Sequence, residues 1–331
     1  MTESKVEEFV IELLEKQGFE YVGPEEQEAE RKSLEEVILK GRLGRAIDNL
    51  NPDISSEAKE QALRQVLRLP SQNLMDNNEA FHTLLTEGVV IAENREQGLR
   101  GVRVQLVDFE NIENNEFLVC NQFTVIQENI TKRPDVVLFV NGLPLVVIEL
   151  KNPADEQATV EKAFTQLQNY KTAIPLLFYY NALLIASDGL DAKTGTISSD
   201  QSRFLAWKST DGKVEDKITV PQIETTIRGL LTKNVLLDLV RNFIVFEKQK
   251  TEDLATSIIS VITAKKAAAY HQYFAVNKAI ESTLRAAVAT VADQVHEPPA
   301  TYGLPSVSAQ PPEKSVPSVR SRFSLNFLGR I

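Results

Sequence analysis

One cysteine, Cys120, occurs in 331 residues. That excludes an internal disulfide framework and a cysteine-built zinc site, and it fits a reducing compartment. Histidine is nearly as scarce: His82, His271 and His296 lie far apart and beside no partner motif. Catalysis by a Ser–His or Cys–His pair has no support, and Cys120, inside an apolar strand pattern, reads as a small core residue. No apolar run approaches the roughly 20 residues of a membrane span. Residues 1–16 are acidic and amphipathic, unlike a secretory leader, so the expectation is a cytoplasmic chain with no membrane partner. A basic excess is missing too: 36 Lys and Arg stand against 46 Asp and Glu, a net charge of −10. Such a balance does not announce nucleic acid, yet it does not exclude it, because a nuclease that holds divalent cations needs acids in its site.

What is present is an apolar fraction of 43%, enough for a real core and against general disorder. ESKVEEFVIELLEK (3–16) places Val6, Phe9, Val10, Leu13 and Leu14 on one helical face, and Gly18 ends the run. Further helices are expected near 34–50, 55–68 and 77–87, the second opened by Ser55 and Ser56 and stopped before Pro70. From Val102 the pattern becomes β-rich, through RVQLVDF, EFLVCNQFTVI, DVVLFV and PLVVIEL. A helix over 156–171, an apolar strand within 176–186 ending at Ser187-Asp188-Gly189, and helices over 221–248 and 262–290 follow. This order predicts an α/β fold, a mixed sheet flanked by helices, with a helical C-terminal extension. From about Glu297 the chain is rich in Pro and Ser and reads as a disordered tail.

The stretch RPDVVLFVNGLPLVVIELKNP (133–153) carries the chemistry. Side chains alternate faces along a strand, so the turn decides which residues meet. A two-residue type I′ loop at Asn141-Gly142 would pair Val140 with Leu143 and put Asp135 opposite Ile148, leaving Glu149 on the other face. A three-residue loop over Val140–Gly142, with Gly142 left-handed as a bulge, pairs Phe139 with Leu143 and brings Asp135, Glu149 and Lys151 together. The bulged loop is the expectation. A tight turn with no other bulge between 135 and 149 would dissolve the site. If they converge, two half-buried carboxylates need a cation to neutralise them, and oxygen-only ligands favour Mg²⁺. Lys151 could orient the attacking water and offset charge on the phosphate, giving a metal-dependent phosphodiesterase site. The plainer alternative is a set of solvated charges at strand ends.

Two additions strengthen the cluster. Gln166 and Tyr170, at i and i+4 of TQLQNYK, share a helix face, although Tyr170 could simply extend the buried stripe of Val160, Ala163, Phe164 and Leu167. In the first helix Glu7 borders the apolar face while Glu8 and Glu12 point outward, so Glu7 could reach the sheet rim as a further metal ligand.

The ordered set Pro134-Asp135 … Glu149-Leu150-Lys151, then Gln166 and Tyr170, resembles the PD-(D/E)-x-K nuclease fold with the Gln-x-x-x-Tyr motif of its RecB-like branch. More closely, with SDG at 187–189, FLAWK at 204–208, LLDLVRNFIVFE and YHQYFAVNKAIEST, residues 1–290 resemble the N-terminal region of the R subunit of type I restriction–modification enzymes. The resemblance implies an endonuclease acting on double-stranded DNA, working with methylation and specificity subunits and an ATP-driven motor. Asp135 and Glu149 would bind Mg²⁺, helped by the Leu150 carbonyl, and Lys151 would assist the attacking water. Gln166 and Tyr170 would contact DNA or fix the lysine. Glu7 is the better match to the family's first-helix acid, with Glu8 its competitor. Gln272 in YHQYF matches the glutamine that reads adenine, against the plainer reading of an exposed helix residue. The implied domains are an endonuclease domain at 1–250 (a helical segment over 1–95, a catalytic core over about 96–215, helices over 220–250), then a linker and the start of a truncated ATPase motor at 251–290, then the tail at 291–331.

The departure is that no phosphate loop G-x-x-x-x-G-K-[ST] occurs in these residues. By themselves they should neither hydrolyse ATP nor move along DNA. Lys132, Arg133, Lys193, Arg203 and Lys208 are candidate phosphate contacts, each also readable as solvated surface. So few cations predict weak, salt-sensitive DNA binding and little or no cleavage by the isolated chain. Two other readings stay open: a catalytically silent docking module, and a RecB-like repair nuclease.

Overall fold

The computed structural model describes residues 3–95, 98–152, 159–253 and 258–295. In chain order the elements are α1 (Glu3–Lys16), β1 (Glu20–Val22), α2 (Pro24–Ala29), α3 (Lys40–Leu50), α4 (Ser56–Leu67), α5 (Leu74–Glu87), β2 (Val89–Arg95) and β3 (Gly98–Val104). There follow β4 (Phe117–Asn121), β5 (Val125–Gln127), β6 (Ile130–Lys132), β7 (Val136–Val140), β8 (Leu143–Leu150), α6 (Val160–Ala173) and α7 (Pro175–Tyr179). The last are β9 (Leu183–Ser187), β10 (Ala192–Gly195), α8 (Gln222–Leu230), α9 (Lys233–Asn242), β11 (Ile244–Asp253), β12 (Ile258–Ala267) and α10 (Tyr270–Val295). Residues up to Tyr273 form one unit; the described portion of a second is the remainder of α10.

Six strands make a mixed sheet in the order β1-β4-β7-β8-β9-β10. β1 runs parallel to β4 and β9 parallel to β8, while the other pairs are antiparallel. β7 and β8 are buried at every position. That is why DVVLFV and PLVVIEL read as continuous apolar runs rather than alternating ones: both faces are covered. α1 and α6 each pack against β8, and α1 buries Val6, Val10, Leu13 and Leu14 as its spacing predicted, with Ile11 buried and Phe9 only half-buried. The expected α/β architecture is the one observed.

Several expected boundaries differ. Residues 34–39 are not helical, because their backbone bonds elsewhere: Ile126 N donates to Leu34 O, and Leu39 N donates to Gly142 O at 3.0 Å. The strand expected within 176–186 begins only at Leu183; Pro175, favoured at a helix's first position, opens the short α7 instead. The helical block over 220–250 ends at Asn242, where Ile244, Val245 and Phe246, residue types that favour strand, start β11 and pair with Ala267, Lys266 and Lys265 of β12. The helix expected over 262–290 therefore starts at Tyr270. The segment expected to be helical over 1–95 also supplies β1 and β2, and β1 belongs to the central sheet. Residues 291–295 continue α10 rather than the tail, in the Ala-rich segment AAVATVADQV that favours helix. The rest of the expected tail lies outside the described residues. Among the described residues no helix is long and apolar enough to cross a membrane.

Candidate active site

The turn between β7 and β8 is the tight one. Asn141 and Gly142 both have positive φ, 52° and 77°, and Val140 pairs with Leu143. The three-residue bulged loop is not formed. Asn141 explains the choice: its buried side chain donates to Leu106 O at 2.9 Å and accepts from Glu116 N at 2.8 Å, which pins it in the left-handed turn. Convergence is restored one step further on. Phe139 pairs with Pro144 but Leu138 pairs with Val146, so Leu145 is an extra residue on β8. Proline has no N–H to give the ladder and is tolerated at such bulges, so Pro144 was the legible signal for this one. Beyond the bulge Val136 pairs with Ile148, which sets Asp135 opposite Glu149 on one face.

Both acids are buried, Asp135 at 8% and Glu149 at 1% exposure. Asp135 Oδ2 accepts from Leu150 N at 2.7 Å, and Lys151 Nζ donates to Glu149 Oε1 at 2.5 Å and to Leu150 O at 3.0 Å. Lys151 N donates to Ser187 O at 2.8 Å, which extends the β8–β9 pairing and fixes the lysine's stem. Among the described residues Glu149 Oε2 is buried without a hydrogen-bond partner. Burial, and then the charge of Asp135, push the Glu149 carboxyl up to about 8, against the pull of Lys151 and the Tyr170 hydroxyl. Burial likewise lifts Asp135 to about 6, opposed by the Leu150 N–H and Lys151. For Lys151, burial disfavours the charge, yet Glu149 and Asp135 outweigh it and its pKa is raised.

These groups line an open cleft of about 740 Å³, with Glu3, Glu7, Gln122, Arg133, Gln166 and Tyr170 on its walls. Glu7 is buried and Glu8 exposed, so of these two candidates Glu7 is the one on the cleft wall, where Glu3 of the same helix also lies, 3.5 Å from Lys151 Nζ. Its two oxygens accept from Asn121 Nδ2 at 2.5 Å and Gln122 Nε2 at 2.6 Å. Sequence reasoning missed both amides, although a polar Asn-Gln pair interrupting the apolar strand FLVC was a visible sign. Tyr170 is buried on α6, whose N-cap is Thr159, and its hydroxyl donates to Arg133 O at 3.4 Å. Burial, then Glu149, raise the Tyr170 pKa, while Gln166 opposes.

The remaining candidates lie elsewhere. Of the expected phosphate contacts only Arg133 lines this cleft. Lys193 and Lys208 are ion-paired with Glu161 and Glu215, each at 4.0 Å, and Arg203 borders a different, smaller cavity beside Thr194 and Trp207. Gln272 Oε1 accepts from Ala269 N at 3.0 Å, capping its own helix. FLAWK is structural: Phe204 lies against Gly195, and Trp207 packs on Gly229 and Tyr273. Cys120 is core, its thiol raised to about 12 by burial.

Among the described residues no three His, Cys, Asp or Glu side chains come together closely enough to hold a metal unaided. Two carboxylates, one with an unused buried oxygen, and a backbone carbonyl nevertheless suit a hard divalent ion that keeps several waters. A mixed sheet flanked by helices with this rim defines a restriction-endonuclease-like N-terminal domain. Comparison with known families makes the assignment specific: residues 1–203 match the type I restriction enzyme R protein N terminus family, and the chain belongs to it. It is 36% identical over 294 residues to the HindI type I restriction enzyme endonuclease subunit of Haemophilus influenzae, covering 86% of this chain and 27% of that protein. It is 31% identical over 305 residues to a putative MjaIXP endonuclease subunit of Methanocaldococcus jannaschii, covering 85% of this chain and 27% of that protein. An EcoprrI endonuclease subunit of Escherichia coli is 25% identical over 261 residues, 76% of each chain. The chain thus spans about a quarter of the length of the first two relatives.

Proposed function

We propose that this chain is the Mg²⁺-dependent nuclease domain of a type I restriction enzyme R subunit, hydrolysing phosphodiester bonds of double-stranded DNA. The observation that supports it best is the bulged hairpin that sets Asp135 against Glu149 with a buried oxygen of Glu149 left unpartnered. A bound Mg²⁺ would polarise the scissile phosphate and acidify a water. Asp135, Glu149 and the Leu150 carbonyl would hold it, with Glu7 behind them at the cleft wall. Lys151, whose ammonium is kept charged by the two acids, can orient the attacking water and offset negative charge building on the phosphate. Arg133 can take a neighbouring phosphate, and Gln166 and Tyr170 wall the cleft where the backbone would lie. Specificity, methylation and ATP-driven movement would come from partner subunits and from regions of the relatives that this chain does not span, in the cytoplasm. An adenine-reading role for Gln272 requires its side chain to leave the Ala269 N–H that it caps.

The test is Lys151→Ala in a complete R subunit assembled with methylation and specificity subunits. Cutting should fall by at least about 100-fold while ATP-driven translocation persists. Loss of assembly with translocation would favour the docking-module reading instead.

A further inference from the structure

Among the described residues four non-glycine residues have left-handed backbones, and three of them, Glu128, Asn129 and Asn141, sit in two-residue hairpin turns. Gln122, at φ 50°, does not. It follows β4 directly, and its neighbourhood is still on the ladder: Gln122 N donates to Asp135 O at 2.8 Å and Phe123 N to Pro134 O at 3.2 Å. A glutamine held there costs roughly 1 kcal/mol or more that glycine would not. The consequence is where its side chain goes. Nε2 lies 2.6 Å from Glu7 Oε2 and 3.5 Å from Asp135 Oδ1, an amide donor placed between two carboxylates from different elements. Asn121 Nδ2 takes the other oxygen of Glu7 at 2.5 Å, and Leu150 N takes the other oxygen of Asp135 at 2.7 Å. A lysine there would compete with a cation for these acids, and a glutamate would repel them; a neutral donor does neither.

We infer that Gln122 is a positioning residue, which clamps Glu7 of α1 to Asp135 and so fixes the orientation of the carboxylates offered to a divalent cation. The inference rests on the cation reading proposed above. Groups of this kind, one bond removed from the ligands, typically change metal affinity 10- to 100-fold when lost.

The test uses the full chain, with Gln122→Gly, which the left-handed backbone accepts, and Gln122→Asn, whose amide is one methylene too short to bridge. Mn²⁺ affinity is measured by calorimetry, and thermal stability in EDTA alongside it. Both variants should melt within about 3 °C of the wild type, or above it for glycine, and bind Mn²⁺ about 10-fold more weakly. Glu7→Gln combined with Gln122→Gly should lose little more than Glu7→Gln alone, since without Glu7 there is nothing left to clamp. Wild-type Mn²⁺ affinity in Gln122→Gly overturns the inference alone, as does a large drop in melting temperature in EDTA, which would make the clamp a fold element. Absence of Mn²⁺ binding by the wild type overturns the cation reading and this inference with it.

Discussion

Glu149→Gln should stabilise the chain when no divalent ion is present. The Glu149 carboxyl is 1% exposed, and burial together with Asp135 raises its pKa from 4.5 to about 8. A carboxyl whose folded pKa lies above its unfolded value favours the protonated fold. Its contribution is intact below the unfolded value and is lost progressively as pH rises toward the folded one. At about 1.4 kcal/mol per unit, the full loss above pH 8 is on the order of 4–5 kcal/mol. Part of the gain from removing the charge is returned because Lys151 forfeits its ion-pair partner, leaving about 2–3 kcal/mol. For a unit of this size that is about 4–8 °C in melting temperature. Thermal denaturation in EDTA at several pH values reads it directly. The variant should exceed the wild type by this margin near pH 8 and converge with it near pH 5. Saturating Mn²⁺ should reverse the order, because only the wild type gains ligand stabilisation. A Glu149→Gln chain that is less stable than wild type in EDTA at pH 8 would refute the claim that this carboxylate is held at a cost.

Gly142→Ala should destabilise by about 3 kcal/mol or more, measured by denaturant unfolding, since the backbone there is left-handed and a Cβ would lie 2.5 Å from Leu39 O. Arg133→Ala should weaken DNA binding about equally across sequences and reduce the slope of log affinity against log salt by about one, read by anisotropy at several ionic strengths.

Much of the site was legible because it sits on strongly patterned segments. The 3.6-residue spacing of α1 put Glu7 at the edge of its buried face, and the two apolar runs of β7 and β8 ended on the acids and lysine themselves. The observed turn differs from the expected one for a definite reason. Asn141-Gly142 is the strongest two-residue hairpin signal, but it leaves Glu149 on the wrong face, and Pro144, a residue away, holds the bulge that corrects the register. The helical expectation runs on over β11 because Leu236, Leu237, Leu239 and Val240 are followed at helical spacing by Phe243, Ile244 and Phe246 with no Gly or Pro between, so the switch from a period of 3.6 to 2 carries no breaker. Asn121 and Gln122 stood out as polar residues ending an apolar strand, but their role did not, because the partner they share, Glu7, is more than 100 residues away on α1. Burial of a lysine was equally hidden at Lys265, which reaches Asn78 and Asn181 from β12.

Whether Asp135 and Glu149 share one divalent cation is tested most directly by anomalous scattering from a crystal of the chain soaked in Mn²⁺. One peak is expected in the cleft, about 2.1 Å from a carboxylate oxygen of each acid and from the Leu150 carbonyl, with the buried oxygen of Glu149 among its ligands. A cleft without a peak at saturating Mn²⁺, in a crystal where both acids keep these positions, would contradict the shared-cation site.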